Sequence, residues 1–493
     1  MTATGSSTPF DVAVVQTAAA AYPTEPPFDP PERYPELHPD LWHLDRDNVV
    51  YSGVREALRL LGLDAARYGT PEWNPMSAFV RPGDRVVIKP NLVRDFHGDG
   101  LGLTPLVTHG SVVRAMLDYV ILALGGRGSI VIGDSPLQYA DFGRTIDELG
   151  LGRVVDEVKP HAGVPIRLID FRRTRSEKRG GMIITRLPNQ GDPEGYQVVD
   201  LKQGSRFAGA SEARCRRFRV TQYDPRTMGV AHNEMSHAYL FPKSVLAADV
   251  VINLPKLKTH RKAGLTSAMK NLVGVNGSKD WLPHHTAGSV AEGGDEYQHP
   301  SRRKEMISTL RDLIEGRRSA PARRLMQMAV RALKATSKVV AFPDDHWEGS
   351  WHGNDTAWRM VHDLHKVLFF ADAMGVVGEK PLRRYFALVD AVVAGEGEGP
   401  MRPSPRPAGL LVAGAHPAAV DIVCARLAGF DEGKIPLLKN AIGGRFQPVL
   451  PSVEAIRVFS NTGRWARPFE LTRSQTLSFL PPAGWSGRME LAR

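Results

Sequence analysis

The sequence predicts an α/β protein of mostly parallel sheets with flanking helices, arranged as two lobes that carry a β-rich insertion and a basic helical insertion. Three observations lead there. Four short β-branched runs, at residues 85–91, 129–135, 249–255 and 385–390, each end in polar or small residues, as strands buried on both faces do. The amphipathic stretch 111–124, closed by Gly125-Gly126, lies between the first two and completes a strand–helix–strand unit. Near the C-terminus, 410–414 followed by 417–428 repeats the strand-to-helix pattern.

The remaining elements fill in around this frame. Residues 10–16 read as a first strand. Residues 155–245 break the pattern with strand-like pieces at 166–171, 182–187 and 196–201 amid much charge, and form the β-rich insertion. Residues 301–345 read as two basic helices parted by Ser319-Ala-Pro321, and 355–375 as a long helix with Asp355 or Thr356 as its N-cap. The last forty residues carry no clear pattern. The expected division is an N-terminal α/β lobe (1–154 and 246–300), the two insertions (155–245 and 301–345), and a C-terminal α/β lobe (346–493).

Composition bounds the function. With 493 residues, 42% apolar and 24% charged, the chain reads as a soluble globular protein of two or three domains. It has no apolar run of roughly 20 residues that would cross a bilayer, and Met1 to Thr8 lacks the pattern of a secretory signal. Two cysteines, Cys215 and Cys424, furnish no disulfide framework, zinc ribbon or iron–sulfur cluster within one chain, so a cytoplasmic location and no iron–sulfur cofactor are expected. Of the formal charge of +10, residues 301–340 hold +8, eleven Lys/Arg against three acids. One local basic feature follows, and nucleic-acid binding is disfavoured because no aromatic interleaving or reader motif accompanies it.

Ligands of open α/β sheets sit beyond the carboxyl ends of the strands. Polar sets fall at four such ends: Lys89 with Asn91, Asp134 with Ser135, Lys256 through His260, and Asp390 with Glu396 and Glu398. The richest is Pro-Lys256-Leu-Lys258-Thr-His260-Arg-Lys262, followed by Gly264-Leu-Thr-Ser-Ala-Met-Lys270-Asn271. A helix starting near Leu265 would put its N-terminus beside these cations, which is an anion site on electrostatic grounds. A solvated basic loop is the plain alternative. Lys270 is the most telling residue, because it would lie inside that helix among Leu265, Ala268, Met269 and Leu272.

Weaker sets follow. His284 and His285, with Glu292, Asp295, Glu296 and His299 nearby, are candidate ligands for a divalent metal together with Asp390; their glycine-rich stretch reads alternatively as a lid with Trp281 as the water-excluding group, or, most simply, as a plain surface loop. Asp355, Arg359 and His362 share a helix face, either as bracing or as substrate contacts. The Gly395-Glu-Gly-Glu-Gly399 stretch reads as a loop whose Glu396 and Glu398 suit metal ligation or acid/base work, or whose Glu398 simply pairs with a basic side chain of the Lys256 to Lys270 segment. Leu325, Met328, Ala332 and Leu333 beside Arg323, Arg324, Arg331 and Lys334 fit a helix resting on anionic lipid, or one packed on its own domain.

With these residues in view, the chain resembles the domain-of-unknown-function family 362 (DUF362). The matching pieces are Val87-Ile-Lys-Pro-Asn-Leu92, Ile132-Gly-Asp-Ser135, Asp249-Val-Val-Ile-Asn-Leu-Pro-Lys-Leu-Lys-Thr-His260, Thr266-Ser-Ala-Met-Lys-Asn-Leu-Val-Gly274 and residues 389–400. The resemblance implies a fold more than an activity. Some members carry ferredoxin-like cysteine clusters, which this chain lacks. A more distant similarity, to the nickel-pincer lactate racemases, rests on His260 and Lys270 standing ten residues apart with Gly264 between them. In that family the histidine acts in proton and hydride chemistry and the lysine tethers the cofactor. At Gly133-Asp134-Ser135 the racemases' second histidine has no counterpart, so the similarity implies a small anionic ligand here and not the cofactor.

The sequence therefore points to an enzyme binding a small carboxylate, sugar acid or phosphorylated substrate in an interlobe cleft. In that reading His260, Lys270, Asp134, Glu396 and Glu398 perform acid/base chemistry, with or without a metal, and Lys89, Asn91, Ser135, Lys256, Lys258, Asn271 and Arg359 contact the substrate. The reaction class stays open between isomerase- or racemase-like and transferase-like. The alternative is a non-catalytic membrane-surface adaptor that binds anionic lipid through the basic helices.

Overall fold

Alternation in the β-branched runs sends neighbouring side chains to opposite faces, and both faces are buried. Val86 and Ile88 pack in one apolar core and Val87 in another; Ile130 and Ile132 divide from Val131, and Val250 and Ile252 from Val251, in the same way. This is the physical signature of a sheet covered on both sides. In the computed structural model, which describes residues 8–37, 43–179, 182–221, 223, 225–316, 320–335, 346–444, 446 and 448–492, ten strands form that sheet. They are β1 (Asp11–Gln16), β2 (Arg85–Pro90), β3 (Ser129–Asp134), β4 (Ile166–Asp170), β5 (Val250–Leu254), β6 (Lys256–His260), β7 (Gly264–Thr266), β8 (Arg384–Glu398), β9 (Arg402–Gly414) and β10 (Arg457–Ser460).

The order is β10-β1-β9-β8-β5-β2-β3-β4, with β6 continuing the line of β5 along β8, and β7 folding back on β6. The four strands expected to be parallel are parallel neighbours, β8–β5–β2–β3, and β4 extends them. Helices Val49–Leu60, Gly110–Leu124 and Leu151–Ala162 cover one face. Ala357–Phe370 and Pro417–Ala428 cover the other. The chain is thus α/β with a large, mostly parallel sheet flanked by helices.

Several expectations change in detail. Strands from both expected lobes share this one sheet, and in place of the interlobe cleft the candidate site lies at the carboxyl ends of its central strands. The strand that includes residues 410–414 is antiparallel to its neighbours β1 and β8, because β8 and β9 are joined by a short turn that permits only antiparallel pairing. Helix Leu151–Ala162 and β4 belong to the main body, and the β-rich insertion proper begins with the hairpin Thr174–Arg179/Met182–Pro188. The expected long helix is Ala357–Phe370, preceded by Asn354, whose Oδ1 accepts from the amides of Thr356 and Ala357.

The basic segment forms two helices, Arg302–Gly316 and Ala320–Ala335. The first is anchored by buried Ile307 and Ile314 and by ion pairs Arg219–Asp312 and Arg311–Glu348. The second leaves Leu325 and Met328 69% and 64% exposed. Among the described residues, no helix is long and apolar enough to cross a membrane.

Candidate functional site

Past Pro255 the chain keeps pairing with β8, but the register shifts between Lys256 and Lys258, which pair with Asp390 and Gly395. That shift turns the strand. Lys256 is left buried behind it, where its Nζ meets Asp390 at 2.7 Å and the Tyr22 hydroxyl at 2.7 Å. Tyr22 in turn donates to Asp390, and the His109 amide donates to the other carboxylate oxygen at 2.9 Å. Lys256 and Asp390 are therefore a closed structural pair, not a substrate contact and a metal ligand. Lys258 and His260 emerge instead into a cavity of about 670 Å³ at the strand ends.

The cavity is lined by seven basic side chains, Lys258, Arg261, Lys262, Lys270, Lys279, Arg311 and Arg402, against three carboxylates, Asp134, Glu348 and Glu398. Asn91, Ser135, Asn271, His260, His284, Tyr139 and Tyr223 complete its polar wall. All three carboxylates are engaged. Asp134 takes Lys89 at 2.9 Å, the Leu92 amide at 2.6 Å and the Ser135 amide at 2.7 Å. Glu348 pairs with Arg311, and Glu398 accepts from the Ala483 amide at 2.8 Å. Arg261 approaches Glu398 at 3.9 Å and Arg402 approaches Asp99 at 3.6 Å, so among the described residues the lining cations left without a carboxylate are Lys258, Lys262, Lys270 and Lys279.

The lysines differ in what they already hold. Lys89, buried behind the wall, is held by Asp134, Asn271 and the Pro90 carbonyl. Lys258 donates to the Leu106 carbonyl and to Asn91. Lys262 reaches Thr221 and His285, and Lys279 the Val273 carbonyl. Among the described residues, Lys270 has no hydrogen bond or ion pair, although it is only 7% exposed. Burial, then the charges of Lys279 and Lys262, pushes its ammonium down to about 7. Burial likewise pushes Lys279 to about 7 and Lys262 to about 8, and holds Lys258 well below the ordinary lysine value. Lys262, Lys270 and Lys279 are thus amines poised to change charge near neutrality.

The two cavity histidines have opposite tautomers. His260 Nδ1 accepts from the amides of Lys262 (3.0 Å) and Ala263 (3.2 Å), so its ring proton sits on Nε2. His284 Nδ1 donates to the Leu282 carbonyl at 2.7 Å, which leaves the lone pair on Nε2. Burial keeps both rings neutral, with the charge of Lys270 the next largest cause in each. One imidazole is a donor, the other an acceptor.

The expected helix N-terminus takes another course. The helix starts at Ala268, not near Leu265, and runs only to Asn271. Its first amides, Ala268 and Met269, donate to the two oxygens of Asp421 at 2.6 and 2.9 Å. A carboxylate from helix Pro417–Ala428 already occupies the dipole end, and burial raises it to about 7 against the pull of those amides. Anion attraction therefore falls to side chains alone.

Other expectations shift as well. Among the described residues no group of three or more His, Cys, Asp or Glu side chains is placed to hold a metal ion. His285 lies in a short strand with its Nδ1 beside Lys262 and is not in the cavity wall with His284, while Asp390 is closed by Lys256. Glu396 and Glu398 extend β8 instead of forming a loop, because Arg402–Gly414 pairs with that strand throughout; Glu396 accepts from the Leu480 amide. Arg359 braces its own helix through Asp355 and the Arg206 carbonyl, away from the cavity. The stretch around Lys279 and His284 is cavity wall, and Trp281 is not in the lining. Glu348 and Arg402 come from segments distant in sequence that carry no local signal, and Arg311 belongs to the basic segment with nothing in the sequence to show that it reaches the cavity.

Gly274 holds the wall together. A Cβ there would overlap Asp134 Oδ1 and crowd Lys89 Nζ at 2.7 Å. Gly274→Ala should lower stability by about 1–3 kcal/mol, read as a fall in the urea midpoint at constant slope; an unchanged midpoint would show that this close approach does not matter.

Every residue lining this cavity lies between residues 86–187 or 203–426, the two stretches matched by the family model "Domain of unknown function (DUF362)". The chain belongs to the DUF362 family. A curated relative is "Thylakoid-associated protein sll1697" of Synechocystis sp., 25% identical over 368 residues, which cover 74% of this chain and 68% of the relative. For this DUF362 protein, then, the family match and the cavity coincide, whereas the similarity of His260 and Lys270 to the racemases remains one of spacing.

Proposed function

We propose that this DUF362 protein is an enzyme that binds a small anionic substrate, a carboxylate, sugar acid or phosphorylated metabolite, in the cavity at the ends of β2, β3 and β6 and acts on it by proton transfer. The observation that carries the reading is the surplus of cavity cations around a buried lysine that has no partner. Lys258, Lys279 and Arg402 neutralise the anion, the Nε2–H of His260 donates to it, and Lys270 and His284 Nε2 accept protons. Asn91, Ser135 and Asn271 supply further polar contacts. Asp134 acts through Lys89 and the wall rather than on the ligand. The test is a thermal-shift panel of carboxylates, sugar acids and phosphorylated metabolites on the wild type and Lys258→Met. At least one class should raise the melting temperature of the wild type and do so less in the variant; no shift with any class would contradict the reading.

A second reading concerns where the protein works. Leu325 and Met328 stand exposed on helix Ala320–Ala335, in the segment that holds +8 of charge, and a relative is thylakoid-associated by name. These features support a protein that rests on an anionic membrane surface through this helix. Co-sedimentation with vesicles containing phosphatidylglycerol should fall several-fold for Leu325→Asp/Met328→Asp, and should fall with added salt. Equal sedimentation of wild type and variant would remove this reading and leave the cavity reading intact.

A further inference from the structure

The cavity holds more than an anion trap. A ligand bound only by charge needs cations, and Lys258, Lys262 and Lys279 supply them while each keeps a hydrogen bond to the protein. Lys270 differs. It sits on the short helix Ala268–Asn271, whose start is clamped by Asp421, so its backbone is fixed while its amine is uncommitted. Placing an amine without a partner inside a wall of cations costs stability, and such a cost is understandable where the amine must be a free base that attacks. The two neutral imidazoles near it, one presenting N–H and the other a lone pair, are the complement that carbonyl addition requires.

We infer that Lys270 forms an imine with the carbonyl carbon of an anionic aldehyde or ketone, a 2-oxo acid being the smallest that fits the charge of the site. This rests on the anion-binding reading above and deepens it. The Nζ lone pair makes the C–N bond as the carbonyl π pair moves to oxygen, where the Nε2–H of His260 donates a hydrogen bond to the growing negative charge. A proton passes from nitrogen to that oxygen, with His284 Nε2 as the relay. The C–O bond then breaks with a second proton, supplied by the Lys279 ammonium, and one water leaves. The product is an iminium on Lys270. No oxidant, reductant or further reactant is needed, and the carboxylate is held by the remaining cations. Burial, by keeping Lys270 partly unprotonated at neutral pH, supports the same assignment.

The test is reductive trapping. The full-length protein is incubated with pyruvate or glyoxylate at neutral pH, treated with cyanoborohydride, and analysed by intact mass and peptide mapping, alongside Lys270→Arg and Lys279→Met. Oxalate, which has carboxylates but no ketone, is the competitor. The expected result is one adduct per chain on the peptide containing Lys270, lost with Lys270→Arg, slowed at least tenfold with Lys279→Met, and suppressed by oxalate. Circular dichroism of Lys270→Arg checks that it is folded. Adducts spread over surface lysines and indifferent to oxalate would overturn the imine. If calorimetry detects pyruvate or oxalate binding while no Lys270 adduct forms, the imine fails and the anion site stands. If neither binding nor adduct is found, both fall.

Discussion

Asp390→Ala should destabilise the protein by about 3–5 kcal/mol, the cost of leaving a buried partner charge uncompensated. Lys256 and Asp390 are both fully buried, 2.7 Å apart, and the Tyr22 hydroxyl and His109 amide close the remaining positions on the carboxylate. Among the described residues no second carboxylate pairs with Lys256, whose other acceptors, the Tyr22 hydroxyl and the Val393 carbonyl, are neutral. Burial lowers its proton affinity and Asp390 opposes that shift, so removing Asp390 also frees the amine to deprotonate. Lys256→Met with Asp390→Leu removes both charges and should recover much of the loss. Chemical denaturation of the two single variants and the double variant measures this as a cycle. A single-variant loss under 1 kcal/mol would show that the pair behaves as a solvated one.

The second large effect joins function to stability. Lys270→Met should weaken binding of the cavity's anion about 10- to 100-fold, the range for a lost charged hydrogen bond, and yet stabilise the empty protein at pH 7. The sign follows from linkage. An unfolded lysine ionises near 10.4, while Lys270 in the fold is held at about 7. Between those values the unfolded chain binds the extra proton, so the stability of the wild type rises with pH through that window. Below about 7 the penalty for a buried ammonium is present in full. The methionine variant has no such penalty and should show a flatter dependence across the same window. Urea midpoints of both proteins at pH 6, 8 and 9.5 decide the matter; parallel curves would place Lys270 in solvent.

The strands were legible because Val86-Val-Ile88, Ile130-Val-Ile132 and Val250-Val-Ile252 are buried on both faces and need no distant information to be read. His260, Lys270 and Lys258 were legible as a cation-rich strand end. What separates Lys258 from Lys256 was not, because two lysines two residues apart belong on one face of a regular strand, and only the register shift against β8 parts them. The helix N-terminus beside the lysines was a sound local inference undone by Asp421, whose carboxylate arrives from a helix far along the chain. Adjacent His284 and His285 look like a metal pair because spacing in the chain does not show that His284 lines the cavity while His285 begins a short strand beside Lys262. Glycines at 395, 397 and 399 suggest a loop, but pairing with β9 carries the strand on to Glu398, with Gly397 at a φ of 76°, and the turn begins only at Gly399. Arg311 was read with a basic surface helix, and its approach to the cavity depends on Glu348, which comes after the helical segment.

The most direct test of the account is proton-linked binding. Titration calorimetry at pH 8, in two buffers of different ionisation enthalpy, measures the protons taken up as an anion identified by thermal shift enters the cavity. The account predicts uptake of a substantial fraction of a proton or more per chain, because the anion recharges amines that the empty site holds at about 7 and about 8, and predicts less uptake in Lys270→Met. Binding of equal strength at pH 6 and pH 9 with no proton uptake, unchanged in Lys270→Met, would contradict it.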